Sequence, residues 1–378
     1  MDRTLGCLAL LTLVSACAND DPLAPAALPP AEAAVGGAGR LAVLTRNLYV
    51  GADVDAVISA LVSPSPDDNL AALTAAIVTL QRTDFPTRAR AIADEIARTR
   101  PHAVGLQEVS EIHIDLTPLN IPVSLQLDFL PVLQHALADR GLHYAVGATV
   151  KNIEAAPLPG VSLVDYDALL VDADRVQITD HTSDTFAANV GPVAPGVVLK
   201  RGWVTVRGIV DGRSYQFAST HLESGNAAGL DQLRAAQASE LAASLVPGVP
   251  TILMGDLNDQ PGTPMYRVLA GAGFTDAWDA FRPGVAGYTC CHAADLSDHV
   301  ARFTQRIDYV LARGLGDEGK AGMGHGSGHR ERPQLSVRQH PPRVGQRCRS
   351  RPASRRAGRR ARRIAATRRA DDSDGGPE

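Results

Sequence analysis

The chain has 378 residues, 45% of them hydrophobic and 21% charged, which is the composition of a soluble protein with one large globular domain or two smaller ones. The net charge of -4 hides an asymmetry, because residues 315–378 hold 16 Lys and Arg against 7 Asp and Glu, leaving 21 against 34 for the rest. The acidic body argues against tight, sequence-independent binding of a nucleic-acid backbone, except where divalent cations offset the repulsion.

The N-terminal segment, MDRTLGCLALLTLVSAC, is an apolar run too short to span a bilayer as a mature helix. It resembles a bacterial lipoprotein signal, with small residues before Cys17, so we expect residues 1–17 to form the signal and Cys17 to be lipidated and to become the new N-terminus. An ordinary secretory signal or a short core segment is the alternative. Residues 18–39 are rich in Ala and Pro and predict a flexible tether. We therefore expect a membrane-anchored protein of the cell envelope or, alternatively, a secreted one, and no protein partner is evident.

Strands and helices alternate in the body of the chain. Apolar and β-rich runs predict strands at 40–50, 101–109, 143–150, 166–174, 202–210, 214–224, 250–258 and 306–313. Helical spacing predicts helices at 86–100, 128–142 and 227–246. No repeat is present, and single helices between strands predict two packed sheets flanked by helices, an α/β layered domain from about residue 40 to 314.

Cysteines give little support for a metal site. The body contains only the adjacent pair Cys290 and Cys291, without the CxxC or His/Cys spacing of a zinc site, and we interpret this pair as structural.

Polar residues occur where several predicted strands end, and strand ends commonly hold side chains at a cleft. Asp256 and Asn258 are two residues apart in an extended segment, so they project to the same side. Glu108 follows an apolar strand, and together with Asn47 it offers the oxygen ligands that Mg²⁺ accepts alongside water. His221 is able to exchange a proton near neutral pH.

Taken in order, Asn47, Gln107-Glu108, THLES at 220–224, GDLN at 255–258 and RIDYV at 306–310 resemble the endonuclease/exonuclease/phosphatase superfamily of DNase I-like enzymes. The resemblance covers most of residues 40–313 and implies a four-layer α/β/β/α sandwich. It implies that Asn47 and Glu108 belong to a metal site for Mg²⁺, with Mn²⁺ or Ca²⁺ possible.

The resemblance also implies catalytic roles. Asp256 corresponds to the residue that orients or activates the attacking water, Asn258 to a phosphate contact, and His221 to a phosphate-contacting or acid residue. Asp308 corresponds to the partner of a later histidine.

That histidine is where the chain departs from the family, whose members end in a strand carrying Ser-Asp-His after RIDYV. Here SDH occurs at 297–299, before Asp308, and SGH at 327–329 lacks the aspartate. The tail at 315–378 has no aromatic residue and no periodicity, which is typical of a high-GC gene read out of frame, although a genuine basic tail is the alternative. We therefore expect the final strand to be missing.

The sequence thus predicts a divalent-metal-dependent hydrolase of phosphodiesters, impaired by loss of the C-terminal motif. The substrate is a nucleic acid, a phospholipid or a small phosphate ester. Two alternatives stay open: a phosphomonoesterase acting on small phosphates, and an inactive surface lipoprotein that keeps the fold.

Overall fold

The computed structural model describes residues 40–54, 56–57, 66–298, 300–315 and 334–338, with only the backbone for 40, 66–70, 119 and 334–338. The strands are β1 Arg40–Asn47, β2 Ala103–Asp115, β3 Ser124–Asp128, β4 Tyr144–Leu158, β5 Val161–Asp172, β6 Gln177–Thr185, β7 Gly191–Ala194, β8 Val197–Leu199, β9 Gly202–Val210, β10 Arg213–His221, β11 Thr251–Asp256, β12 Thr275–Asp276, β13 Asp308–Arg313 and β14 Gln334–Arg338. The helices are α1 Pro66–Thr83, α2 Phe85–Thr99, α3 Phe129–Ala138, α4 Leu230–Ser244, α5 Pro264–Gly271 and α6 Ala277–Phe281, with a 3₁₀ turn at Thr117–Leu119.

The strands form two mixed sheets. Within the described residues, the first sheet has the order β14-β1-β2-β5-β4-β8-β7, with β3 paired to β2, and the second has the order β12-β13-β11-β10-β9-β6. Each sheet contains a parallel pair, β1 with β2 in the first and β10 with β11 in the second. Asn47, His221 and Asp256 end β1, β10 and β11, whereas Glu108 lies in the middle of β2.

Three apolar cores separate four layers. The first packs helices α1, α2 and α3 on one sheet through residues such as Ile77, Ile96 and Phe129. The second fills the space between the sheets, and the third packs α4 and α5 on the outer face of the second sheet. The expected α/β/β/α sandwich is therefore confirmed.

Strand β5 shows how one strand serves two cores. Ala168 and Leu170 pack towards the helices, whereas Leu169 and Val171 pack between the sheets. This division follows from the alternation of side chains along a strand, and it explains why β5 reads as a continuous apolar run. The sheets approach closely at Gly105, where a Cβ atom would lie 2.9 Å from Met254 Cβ.

Several elements were not predicted from the sequence. Helix α1 was missed, although Leu73, Ile77 and Leu80 recur at helical spacing and are all buried. Strand β6 was missed because most of its side chains are exposed, so it has little hydrophobic pattern.

The C-terminal edge of the first sheet differs from the expectation. We expected no strand after β13, but the backbone of Gln334–Arg338 pairs in parallel with β1, from Arg40 to Leu44.

The proposed signal peptide and tether at 1–39, and residues 316–333 and 339–378 of the tail, lie outside the described residues. The described residues all belong to one compact unit, Met1–Val344, and the second unit, Gly345–Glu378, lies wholly outside them.

Among the residues described, no helix is both long and apolar enough to cross a bilayer.

His102, just before β2, gives a testable link between the fold and pH. It is 3% exposed, the Ala42 N–H donates to its Nδ1 atom at 3.0 Å, and the guanidinium of Arg175 lies against the ring. Burial, reinforced by the charge of Arg175, lowers the pKa of His102 from 6.5 to about 4. Because the unfolded chain binds this proton at higher pH than the folded one, the stabilisation is complete above pH 6.5 and is lost towards pH 4.

We therefore expect His102→Gln to flatten the fall in the free energy of unfolding between pH 6.5 and about pH 4, measured by urea denaturation. The variant's overall stability does not matter, because the slope against pH is the readout. His113→Gln, at an exposed position of β2, is the matched control and should keep the wild-type slope. An unchanged slope in His102→Gln would contradict the assignment.

Candidate active site

The carboxyl ends of strands from both sheets meet at one cleft. Asn47 ends β1 and lies opposite Gln107 of β2, and in the second sheet His221 ends β10 opposite Asp256 of β11. Six predicted site residues line this single cleft, which has a volume of about 560 Å³. They are Asn47, Glu108, His221, Asp256, Asn258 and Asp308. The structure thus brings together every predicted site residue of the domain, whereas Cys17 lies outside the described residues.

Asn47 bridges the two sheets. Its Nδ2 atom donates to Glu108 Oε1 at 2.8 Å and to Asp256 Oδ2 at 3.1 Å, while its Oδ1 atom accepts from the Tyr49 N–H at 2.8 Å. The oxygen predicted to bind a metal is therefore engaged by the backbone. In this arrangement Asn47 acts as a hydrogen-bond donor that holds two carboxylates.

The sequence suggested that Glu108 follows a strand, but in the structure it lies within β2. The pairing of β2 with β5 shifts between Leu106 and Val109, so two residues of β2 face one of β5 in a β-bulge. Glu108 has a φ of 54°, and its Oε2 atom accepts from the Val50 N–H at 2.7 Å. The bulge therefore turns this carboxylate into the cleft, and its strained backbone is typical of a functional position.

Asp256 and Asp308 lie directly opposite each other on the antiparallel strands β11 and β13. Burial raises the pKa of Asp308 to about 6. Burial also raises the pKa of Asp256 well above its usual value, and repulsion from Asp308 adds to the rise. Asp256 is oriented at both oxygens, because the Asn258 N–H donates to Oδ1 at 3.0 Å and Asn47 donates to Oδ2.

His221 is a buried, neutral histidine. Asn258 Nδ2 donates to His221 Nε2 at 2.9 Å and to the Leu222 carbonyl at 2.9 Å, so the amide hydrogens of Asn258 are used within the protein. Burial lowers the pKa of His221 well below its ordinary value, and the charge of Arg201 adds to this effect. His221 Nδ1 has no hydrogen-bond partner among the described residues.

The histidine expected beside Asp308 is not found among the residues that the structure describes. Instead, the Asp308 N–H donates to the hydroxyl of Thr289 at 3.2 Å. In the SDH motif, Asp298 accepts from His292 Nδ1 at 2.9 Å, whereas His299 itself lies outside the described residues, as does the SGH motif at 327–329.

Sequence reasoning missed several charged residues of the cleft, among them Arg201 and Glu223. Arg201 is buried and contacts Glu223 Oε1 through Nε at 3.4 Å, and its Nη2 lies 3.4 Å from the Ser224 hydroxyl. Glu223 belongs to the THLES motif and was therefore within reach of that analysis. Arg201 precedes strand β9 and had no comparable sequence signal.

Cys290 and Cys291, interpreted from the sequence as structural, form a disulfide bond with each other and line the cleft wall. At Gly255 of the GDLN motif, a Cβ atom would lie 2.3 Å from the Thr220 carbonyl, so the neighbouring strand requires the glycine.

The cleft carries an excess of carboxyl groups. Six acidic side chains face two arginines, and they are Asp53, Glu108, Asp165, Glu223, Asp256 and Asp308 against Arg46 and Arg201. Both arginines are engaged with acids, Arg46 with Glu95 and Arg201 with Glu223.

The metal implied by the fold family can be tested against these donors. Within the described ranges, no three His, Cys, Asp or Glu side chains are already grouped as a metal site. The side chains nevertheless fit a hard divalent cation, because several carboxyl groups converge on the cleft. Burial raises the pKa values of Asp256 and Asp308, and the charge of a bound cation would stabilise their ionised forms. Glu108 and Asp256, held on either side of the Asn47 amide, are the residues suited to bind it.

One family model and several solved structures resemble this chain. The model of the Endonuclease/Exonuclease/phosphatase family matches residues 69–320, a stretch that excludes Asn47. The catalytic domain of human Nocturnin with a bound sulfate anion is 18% identical, covers 60% of this chain and 74% of its own, and has a TM-score of 0.40. A family protein from Leptotrichia buccalis is 16% identical over 60% and 80% of the two chains, with a TM-score of 0.45. A mannosyl-6-phosphatase of Bacteroides thetaiotaomicron is 17% identical over 60% and 76%, with a TM-score of 0.41.

No curated protein sequence matches significantly. The family assignment therefore rests on the family model, whose matched stretch spans 252 of the 378 residues and includes Glu108, His221, Asp256, Asn258 and Asp308. The chain belongs to the endonuclease/exonuclease/phosphatase family, whose members hydrolyse phosphoester bonds.

Proposed function

We propose that this chain is a divalent-metal-dependent phosphodiesterase that acts by attack of water on phosphorus. The observation that carries the proposal is the convergence of Glu108, His221, Asp256 and Asn258 from two sheets on one cleft. Hydrolysis of a phosphoester needs an oriented water, proton transfer and neutralisation of charge on the phosphoryl oxygens.

Asp256 is the residue suited to orient the water and accept its proton. Two N–H donors, from Asn258 and Asn47, fix its carboxyl group at the cleft. Its raised pKa makes it a stronger proton acceptor than an exposed aspartate, which is the property required of a general base near neutral pH.

His221 and Arg201 are suited to contact the phosphoryl group. Asn258 donates to His221 Nε2, so the neutral ring carries its proton on Nδ1, which has no partner among the described residues. Arg201 supplies positive charge to the same cleft. Asn258 then serves by positioning the His221 ring rather than by contacting phosphate itself.

A divalent cation, when bound, would supply the charge needed to offset the negative phosphoryl oxygens. Glu108 is the residue best placed to hold it, since Asn47 and the Val50 N–H fix its carboxylate at the bulge. Mg²⁺ is the expected ion, and Mn²⁺ or Ca²⁺ would satisfy the same oxygen ligands.

The charge of the cleft favours diesters over monoesters. A phosphodiester carries one negative charge, whereas a phosphomonoester carries nearly two at neutral pH. The carboxyl groups of the cleft outnumber the two arginines, which already have acidic partners, so the carboxyl groups that are ionised repel the monoester more strongly. Phosphomonoesterase activity is therefore the weaker alternative.

We expect hydrolysis of bis(p-nitrophenyl) phosphate to exceed that of p-nitrophenyl phosphate and to require Mg²⁺ or Mn²⁺. Glu108→Gln should abolish the metal-dependent rate, because it removes the charge of the proposed ligand without changing its shape. Steady-state rates against metal concentration provide the measurement.

Glu111→Gln is the matched control, since Glu111 lies on the same strand with an exposed side chain. It should retain the wild-type rate and metal dependence. Equal metal activation of the Glu108→Gln variant would refute the metal assignment, and absence of both hydrolytic activities from the wild-type chain would support an inactive protein that keeps the fold.

We further propose that activity is impaired because, in the part of the chain that the structure describes, Asp308 has no histidine to orient. Its partner among the described residues is Thr289, and its main electrostatic effect is repulsion of Asp256.

Asp308→Asn should therefore reduce kcat far less than the roughly 10²- to 10⁴-fold that loss of an acid–base group costs. Removing the negative charge also removes the repulsion that raises the pKa of Asp256, so the acidic limb of the pH–rate profile should move to lower pH. A loss of kcat within the 10²- to 10⁴-fold range would instead indicate a working partner for Asp308.

For localisation, we propose a lipoprotein of the cell envelope, supported by the short apolar run before Cys17. Expression in a bacterial host should give membrane-associated protein, and Cys17→Ala should abolish acylation and change processing, as read by mass spectrometry. Wild-type protein that is wholly released and carries no acyl mass would favour the secreted alternative.

A further inference from the structure

Three polar side chains occupy the interior between the sheets beside the cleft, and one of them, Asp165, also lines the cleft wall. Asp165 and Asp167 alternate along β5 with the residues that face the helices, and they continue the row of Leu169 and Val171 that packs between the sheets. Asn152 is the extra residue where the pairing of β4 with β5 shifts between Lys151 and Ile153. The exposed fractions of the three residues are 1% for Asn152, 2% for Asp165 and 0% for Asp167.

These side chains lie together without satisfying one another. Burial raises the pKa of both carboxyls, to about 7 for Asp165 and well above the usual value for Asp167, and the neighbouring Asn152 amide offsets part of this rise. Neither amide atom, however, makes a hydrogen bond with a described residue. Asp165 Oδ2 and both oxygens of Asp167 likewise have no partner in the described part of the chain. Only Asp165 Oδ1 is paired, since it accepts from the Ser110 hydroxyl at 2.8 Å.

Five unpaired polar atoms at one buried location need an explanation. Each unsatisfied buried group costs about 1–3 kcal/mol, and such groups usually have an ordered water or an ion as their partner. Four of the five atoms are oxygens, namely Asn152 Oδ1, Asp165 Oδ2 and both carboxyl oxygens of Asp167. When the carboxyl groups are ionised, all four are hydrogen-bond acceptors without a donor among the described residues. A cation satisfies oxygen acceptors and neutralises buried carboxylates at the same time.

We propose that Asn152, Asp165 and Asp167 form an interior binding site for a hard divalent cation, distinct from the Glu108 site. Two carboxylates match the charge of the ion, the amide adds a third oxygen ligand, and this oxygen-only set selects Ca²⁺, Mg²⁺ or Mn²⁺ rather than Zn²⁺. Asp165 lines the cleft and so provides the route by which the ion reaches the interior.

The site would have a structural consequence for catalysis. Asp167 faces the bulge of β2 that carries Glu108, because it is the residue of β5 opposite the shifted register between Leu106 and Val109. A cation held by Asn152 on β4 and by Asp165 and Asp167 on β5 would therefore tie together the two strands beneath the bulge. The alternative is a pair of protonated carboxyls, which the test separates.

The test measures Mn²⁺ binding to the full chain by electron paramagnetic resonance in the Glu108→Gln background, so that the proposed catalytic site does not contribute. We expect one Mn²⁺ per chain to remain bound. Adding Asp167→Asn removes a proposed ligand and should weaken Mn²⁺ binding at least as much as losing a residue that only supports a ligand, which costs roughly 10- to 100-fold. Glu154→Gln, at an exposed position of β4, is the matched control and should leave binding unchanged.

If the Asp167→Asn variant does not fold, the Asn152→Asp variant provides a second test. A third carboxylate should tighten Mn²⁺ binding and make the melting temperature depend more strongly on Mn²⁺. No Mn²⁺ bound in either Glu108→Gln or its Asn152→Asp derivative overturns the proposal, as does unchanged binding in the Asp167→Asn variant. These readouts do not involve hydrolysis, so they are independent of the proposed phosphodiesterase activity.

Discussion

The repulsion between two neighbouring carboxyl groups, one buried and one half-buried, organises the site. Asp256 and Asp308 face each other across neighbouring strands, where little water is present to screen their charges. The surrounding residues compensate in part: Asn47 and the Asn258 N–H donate to Asp256, and Arg46 lowers the pKa of Asp308. The pKa values of Asp256 and Asp308 nevertheless stay raised, so these two groups are suited to exchange their protons for a cation.

A buried polar layer connects the sheets between the apolar core and this cleft. Thr45 donates to Gln107 Oε1 at 3.2 Å, and Gln107 Nε2 donates to the Ser219 hydroxyl at 3.0 Å, so a chain of hydrogen bonds runs from β1 through β2 to β10. Because these groups are buried, loss of one would leave the next unsatisfied. The layer therefore fixes the distance between Asn47 in one sheet and Asp256 in the other.

The loop before β13 forms the opposite wall and is fastened to the first sheet's side of the cleft. The Tyr49 hydroxyl donates to the Ala294 carbonyl at 2.6 Å, and Arg82 at the end of α1 pairs with Asp295 at 2.8 Å. Within the loop, Asp298 holds His292. Thr289 accepts from the Ile307 and Asp308 N–H groups, so the wall and the start of β13 are positioned together.

The sequence alone determined the layered α/β architecture and the set of polar residues at the cleft. Strands such as β9 and β11 have apolar periodicity strong enough to be read directly, and motifs such as GDLN place Asp256 and Asn258 two residues apart whatever the surroundings. Helix α1 was also readable, since Leu73, Ile77 and Leu80 repeat at helical spacing. These properties are local, because they depend on side-chain period and backbone geometry.

Only the tertiary structure decided what each polar residue contacts. The bulge that turns Glu108 into the cleft arises from pairing with β5, about sixty positions further along the chain. The orientation of the Asn47 amide is set by Tyr49, Glu108 and Asp256, and the raised pKa of Asp256 depends on burial and on Asp308. Arg201 and the interior group around Asp167 have no local motif. Long-range pairing and burial determine such features, because the charge and solvation of a side chain depend on neighbours that its own segment does not specify.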